Sequence, residues 1–250
     1  MAFTIGLAGK GGTGKTTIAG FLIKYLVEKG KTPVLAVDAD SNANLNEVLG
    51  LQVTDTLGAA REEMKRGVAT GMTKDVFMEM KLEQSVVEAK GFDLIVMGRP
   101  EGTGCYCAAN TLLTQYLQRL INNYPFIVID NEAGMEHISR LTTKDVDILL
   151  IVSDSSRRGI LSAARISQLT DELGLRIGKK CFIINQTKDD ETGELRKAAL
   201  EYQLNLAGII PEDHSLRDFD LKGRPTIELG MESRCLAAAY GIFDRILSGI

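Results

Sequence analysis

The chain has no tryptophan, only two histidines, and four cysteines, at positions 105, 107, 181 and 235. Four thiols are too few to staple 250 residues with a disulfide framework. Positive charge is not in excess either. The 29 Lys and Arg against 33 Asp and Glu leave a net charge of -4, which argues against a general nucleic-acid binder. No uninterrupted apolar run approaches the roughly 20 residues that cross a bilayer. The opening MAFTIGLAGK has no basic segment ahead of its apolar stretch, so no secretory signal is read there. The expected setting is a reducing cytoplasm, with neither membrane nor nucleic acid as a partner.

What the chain does have is a series of apolar, β-branched runs. They are FTIGLAG (3–9), PVLAVDA (33–39), FDLIVMG (92–98), PFIVIDN (125–131), VDILLIVSD (146–154), KCFIINQ (180–186) and LAGIIPE (206–212). Continuous apolar strands alternating with helical patterns make a parallel sheet covered on both faces. The expected fold is therefore α/β and doubly wound, with a mostly parallel sheet of about seven strands in one domain, 1–250. Residues of about 51–90 are rich in Met, Glu and Lys and read as inserted helices. Met72, Met78 and Met80 there are either core filling or an adaptable contact surface. Five strands end in polar or glycine-rich segments: after Ala8, at Asp38, at Gly98, at Asp130 and at Asn185. Ligands of open α/β sheets lie outside the carboxyl ends of the strands, so the functional candidates share one edge.

Between the first strand and the helical pattern TTIAGFLIKYLVEKG runs GKGGTGKTT, residues 9 to 17. It fits G-x-x-x-x-G-K-[ST] in the context that motif requires. Gly9, Gly11, Gly12, Thr13 and Gly14 let backbone N–H groups converge on phosphate oxygens, and the helix N-terminus adds favourable charge. Lys15 should reach the β- and γ-phosphates, Thr16 should bind Mg²⁺ through its hydroxyl, and Thr17 completes the phosphate contacts.

With Lys10, the loop resembles the deviant Walker A sequence of the MinD, ParA and nitrogenase iron protein class of P-loop NTPases. The resemblance implies a nucleotide-sandwich homodimer in which Lys10 contacts the nucleotide of the other subunit. It places a first switch at VDADSNANL. There Asp40 is the candidate for orienting the attacking water and joins Thr16 and Asp130 near Mg²⁺, and Asp38 lies near the metal and the loop lysines. Read from the residues alone, the two aspartates could also be a helix N-cap and its neighbour. FIVIDNEAG ends in Asp130, a Walker B-like aspartate, with Gly134 allowing backbone approach to the γ-phosphate as a second switch does. Asn44 stands where the iron protein has an aspartate. Asn185, Pro211 and Glu212 are the expected base contacts, and N-Q-T-K in place of the guanine-selecting N-K-x-D favours ATP.

Cys105 and Cys107 sit in GRPEGTGCYCAAN, a glycine-rich loop after a strand. Two thiolates fall short of the four ligands a tetrahedral or planar site takes, but two copies of the chain would supply four. A redox pair or two small loop residues is the other reading. With the phosphate loop and DNEAGMEHISR, this segment is similar to the CooC family, ATPases that insert nickel into carbon monoxide dehydrogenase or, in one branch, acetyl-CoA synthase. That similarity implies Ni²⁺, or Zn²⁺, held by Cys105 and Cys107 at a dimer interface, a slow ATPase, and a nickel enzyme as client. Two other functions compete: a positioning ATPase of the ParA/MinD kind and an iron–sulfur reductase. The lack of a cysteine in 130–145 counts against the reductase. His137 could relay nucleotide state, bind metal or simply cap a turn. The C-terminal CLAAAYGIFDRILSGI, with Arg245 as its one cation, is expected as a packed helix rather than a basic membrane helix.

Overall fold

The computed structural model describes residues 2–67, 71–98, 120, 122–133, 145–188 and 192–250. Cys105, Cys107, Gly134 and His137 lie outside these residues. The described strands are β1 (Phe3–Gly9), β2 (Val34–Ala39), β3 (Val87–Ala89), β4 (Phe92–Val96), β5 (Phe126–Asn131), β6 (Asp145–Ser153), β7 (Arg176–Thr187) and β8 (Leu206–Pro211). The described helices are α1 (Lys15–Glu28), α2 (Leu45–Leu49), α3 (Leu57–Arg66), α4 (Lys74–Gln84), α5 (Arg157–Glu172), α6 (Thr192–Glu201), α7 (His214–Leu221) and α8 (Arg234–Ile246), with a 3-10 turn at Thr226–Glu228.

One sheet holds them in the order β3-β4-β2-β5-β1-β6-β7-β8. All pairs are parallel except β3 with β4. The seven expected strands are all present. The eighth, β3, corrects the purely helical reading of 51–90: α3 and α4 form there, but Val87–Ala89 is a strand. Ala89 pairs with Phe92, so Lys90 and Gly91 alone make the turn, and Gly91 takes φ 87°. A two-residue hairpin loop needs that positive φ, which a glycine supplies without strain.

Strand side chains alternate between two layers, because successive residues point to opposite faces. Val34, Ala36, Val128, Leu150 and Ile183 pack with α1, α2 and α8. Leu35, Val37, Ile127 and Ile129 pack with α3 and α4, and Leu149, Ile151, Phe182 and Ile184 with α5 and α6. Burial on both faces is why the strands read as unbroken apolar runs. Met78 is buried among the second group, and Met64, Met72 and Met80 pack against it, which is the core-filling role. Cys181 and Cys235 are free, buried thiols in β7 and α8. Among the described residues, no helix is long and apolar enough to cross a membrane.

α8 docks on β8 and on α1. The Tyr25 ring meets Tyr240 and Phe243 edge-on at 5.2 and 5.5 Å. Their polar ends are also paired: Tyr25 donates to Asp244 at 2.8 Å and Tyr240 to Glu28 at 2.8 Å. The helix that follows the phosphate loop is thereby fixed at its far end. Burial, and then the hydrogen bond to Asp244, push the Tyr25 phenol up to about 12.

The neutral phenol is thus favoured in the folded state, so its contribution is present below the ordinary value near 10 and is lost as pH rises from there through about 12. Tyr25→Phe keeps the ring contacts and removes the bond. It should destabilise the fold at neutral pH by about 0.5–1.5 kcal/mol and flatten the loss of stability between pH 10 and 12. Urea unfolding of both proteins across that range measures this; identical pH profiles would show that the bond contributes nothing.

Candidate phosphate and magnesium site

α1 begins where β1 ends, and its N-terminus is left open. Thr56, Thr73, Ser156, Asp213 and Ser233 close the N-termini of α3, α4, α5, α7 and α8 with side-chain acceptors. α1 instead has Gly14 at this position, with no side-chain cap and no acid in its first turn. Among the described residues no side chain caps its first N–H groups, and these carry the positive end of the helix dipole. Gly14 sits at φ 83°, and a Cβ there would lie 2.4 Å from Asn185 Nδ2. Gly9 is closed in the same way, with Val152 O 2.2 Å from where its Cβ would be. Thr13 is buried; its hydroxyl donates to Lys10 O at 2.9 Å, while Asn185 Nδ2 donates to Thr13 O at 2.9 Å from below. The loop is therefore rigid before any ligand arrives.

Lys15 is 7% exposed, and its ammonium lies 3.4 Å from Lys10 O. Burial lowers its pKa, opposed by the charges of Asp130 and Asp40. Asp38 and Asp130 face each other across β2 and β5, both essentially without exposure. Burial first, and then the charge of Asp130, raise Asp38 to about 7 against the hydrogen bonds it accepts from Leu45 N at 2.9 Å and Asp40 N at 3.0 Å. Burial raises Asp130 to about 6, opposed by the Thr16 hydroxyl and by Lys15. Asp40 lies half-buried on the rim, where its carboxylate accepts from Asn42 N at 2.8 Å. Of the two aspartates, Asp38 holds the start of α2 and the turn at Asp40, while Asp40 faces the cleft.

These residues fit a magnesium ion. Asp130 Oδ1 is buried with no hydrogen-bond partner, and the Thr16 hydroxyl reaches the same carboxylate. An orphaned carboxylate oxygen in a dry site is what a cation or its bound water satisfies. Among the described residues, no group of three or more His, Cys, Asp or Glu is placed to hold a metal directly. A hard cation bound by few protein groups, with phosphates and water completing its shell, is the magnesium pattern.

A cleft of about 1000 Å³ opens beside the loop. Gly11, Gly12 and Gly14–Thr17 form one side, Asp40, Asn44 and the outer face of α2 a second, and Asp220 with Gly223–Thr226 a third, with Gln186 and Ala133 also lining it. The wall at Asp220–Thr226 carried no motif in the sequence. Ser41 and Glu132 were missed as well. Ser41 Oγ donates to Glu132 Oε1 at 3.3 Å, joining the loop after β2 to the end of β5. Both flank aspartates that the sequence did mark, and that adjacency was the available signal. Of the residues expected at the base, Asn185 supports Thr13 through its amide nitrogen, Glu212 N bonds Thr187 O at 3.0 Å, and Pro211 lines a different cavity. Lys10 is exposed at the mouth of the loop.

Because Gly14 and Asn185 touch, their substitutions should couple. Gly14→Ala should weaken nucleotide binding and stability, and Asn185→Ala should loosen the loop. The double variant should be less damaged than the sum of the two by about 1 kcal/mol. Chemical unfolding and nucleotide titration of the three variants test this; simple additivity would mean that the contact does not set the loop's shape.

Comparison with known proteins agrees with this site. The CobQ/CobB/MinD/ParA nucleotide binding domain family matches residues 5–227. The chain is 39% identical over 249 residues to an uncharacterized ATP-binding protein of Methanocaldococcus jannaschii, covering 98% of each chain. It is 32% identical over 261 aligned positions to the carbon monoxide dehydrogenase accessory protein CooC of Rhodospirillum rubrum, covering 98% of this chain and 97% of that one. The solved MinC:MinD cell division protein complex of Aquifex aeolicus shares the fold, with a TM-score of 0.76 at 24% identity over all of this chain and 97% of that one. The open helix end, the buried lysine and the facing aspartates thus belong to a chain that is a member of the CobQ/CobB/MinD/ParA family of nucleotide-binding domains.

Proposed function

We propose that this protein is an ATP-hydrolysing metallochaperone that carries Ni²⁺, or Zn²⁺, to a nickel enzyme. The observation that carries the ATPase part is the uncapped N-terminus of α1 beside buried Lys15, Thr16 and Asp130. Phosphates of ATP would take the free N–H groups of the loop, Lys15 would hold the β- and γ-phosphates, and Gly134 would approach the γ-phosphate with its backbone. Mg²⁺, held by Thr16, Asp130 and the side of Asp40 through water, would neutralise charge on the transferring phosphoryl group. Asp40, on the rim of the cleft, would orient the attacking water, while Asp38 fixes the loop that carries it. Gln186 on the cleft wall, with its neighbour Asn185, is the best-placed candidate for the base, ahead of Glu212 and of Pro211, which lines a different cavity.

Lys10 is exposed at the mouth of the loop, which supports a homodimer closed over nucleotide. Cys105 and Cys107 of two subunits would then form a four-thiolate site for the metal cargo. Nucleotide state can bias that site only as far as it binds the open and closed dimers differently. The CooC relative supports carbon monoxide dehydrogenase as the kind of client, with acetyl-CoA synthase the other nickel enzyme considered. MinD relatives, such as that of Helicobacter pylori at 27% identity, keep a positioning role in view. The docking of α8 on β8 and α1 counts against it, since that helix face is used within the fold.

Lys15→Ala should abolish ATP hydrolysis while its circular dichroism and unfolding midpoint stay close to wild type; turnover above one tenth of wild type would remove Lys15 from the chemistry. The metal cargo is tested separately. Wild type should bind one Ni²⁺ per dimer with sulfur-to-nickel charge-transfer absorbance, more weakly as pH falls, because thiolates must be deprotonated. Cys105→Ser with Cys107→Ser should lose the metal and keep ATP. One metal per monomer, or unchanged affinity in the serine variant, would contradict the shared site.

A further inference from the structure

β2 and β5 pair as far as Ala39 and Asn131, and Asp40 is the first residue beyond that ladder. The residues that would hold magnesium are divided by this seam. Asp40 follows β2, whereas Asp130 lies in β5 and Thr16 in α1. The ladder sets Asp38 opposite Asp130, but the reach of Asp40 depends on the turn that carries it. The end of β5 is itself anchored. Asn131 Nδ2 donates to Leu7 O at 2.9 Å, which ties it to the strand that leads into the phosphate loop.

The turn, residues 40 to 43, is wound on Asp40. Asn42 N donates to its carboxylate at 2.8 Å and Ala43 N to its carbonyl at 3.2 Å. Ala43 takes φ 53°, a left-handed conformation that a residue with a Cβ adopts only at a cost. Backbone in such a region persists where its surroundings hold it there. One such hold is Ser41. Between half-buried Asp40 and exposed Asn42 it is turned inward, 8% exposed, and its hydroxyl donates to Glu132 Oε1 at 3.3 Å. This bond crosses the seam just past the ladder, from the turn to the anchored end of β5.

A hydroxyl suits this place because it donates without adding a charge beside Asp38, Asp40 and Asp130. Hydroxyl-to-carboxylate bonds close to about 2.5–2.7 Å at their best, so the turn has room to move toward β5 with the bond kept. The bond uses one oxygen of Glu132 and is compatible with further partners of that carboxylate. We propose that Ser41 is a positioning residue: its hydroxyl, held by Glu132, keeps the Asp40 carboxylate within reach of the magnesium that Thr16 and Asp130 would bind. The proposal rests on the reading of the cleft as a magnesium–ATP site.

Calorimetry with a non-hydrolysable ATP analogue, with and without Mg²⁺, tests this in wild type, Ser41→Ala, Glu132→Ala and the double variant. In wild type Mg²⁺ should tighten binding. Ser41→Ala should lower the affinity with Mg²⁺ by about tenfold, the usual cost of losing a group that orients a metal ligand. Its affinity without Mg²⁺ and its unfolding midpoint should stay near wild type. In the Glu132→Ala background the same serine change should have no further effect, because the partner is already gone. A magnesium effect undiminished by Ser41→Ala, an equal loss with and without Mg²⁺, or a loss of the same size in the Glu132→Ala background would overturn the positioning role. A lowered midpoint with an unchanged magnesium effect would also overturn it and leave a hydroxyl that serves the fold alone. If Mg²⁺ has no effect in wild type, the reading of the cleft fails, and the proposal with it.

Discussion

Everything in the site turns on a charge imbalance held in a dry place. Asp38 and Asp130 face each other on neighbouring strands with almost no exposure, and one buried cation, Lys15, lies near them. Burial presses both carboxylates toward their neutral forms, helped at Asp38 by the charges of Asp130 and Asp40 and at Asp130 by that of Asp40. The fold tolerates this because α1 aims the positive end of its dipole at the same spot and because Asp38 accepts two backbone N–H groups. The remaining demand is for a cation beside Asp130 and anions against the helix end. A magnesium-bound polyphosphate meets both at once, so neither half of the site is complete alone.

The rest of the chain fixes that geometry. Alternating side chains commit β1, β2 and β5 to burial on both faces, which sets the register placing Asp38 opposite Asp130. Gly14 and Asn185 shape the loop from below, and Tyr25 ties the far end of α1 to α8. The side-chain bond between Ser41 and Glu132 joins the loops on either side of the phosphate position.

Much of this was legible in the residues. The seven main strands announce themselves because each is apolar throughout, and the phosphate loop because its glycines and lysine follow a strand and precede a helix. Parts fixed by tertiary contact were not legible. The Lys90–Gly91 turn lay inside a stretch whose composition is helical, so β3 was hidden. The cleft wall at Asp220–Thr226 comes from chain distant in sequence and carries no motif of its own. Asn185 was noticed for its place at a strand end, but its bond to Thr13 depends on strand order, which one sequence does not display.

The most direct test of the coupled demand is the dependence of ATP binding on magnesium, measured by calorimetry in wild type and in Asp130→Asn. Wild type should bind ATP at least tenfold more tightly with Mg²⁺ than without it, and Asp130→Asn should lose most of that difference while still binding nucleotide. Equal affinity with and without Mg²⁺ in wild type, or an undiminished magnesium effect in Asp130→Asn, would contradict the account.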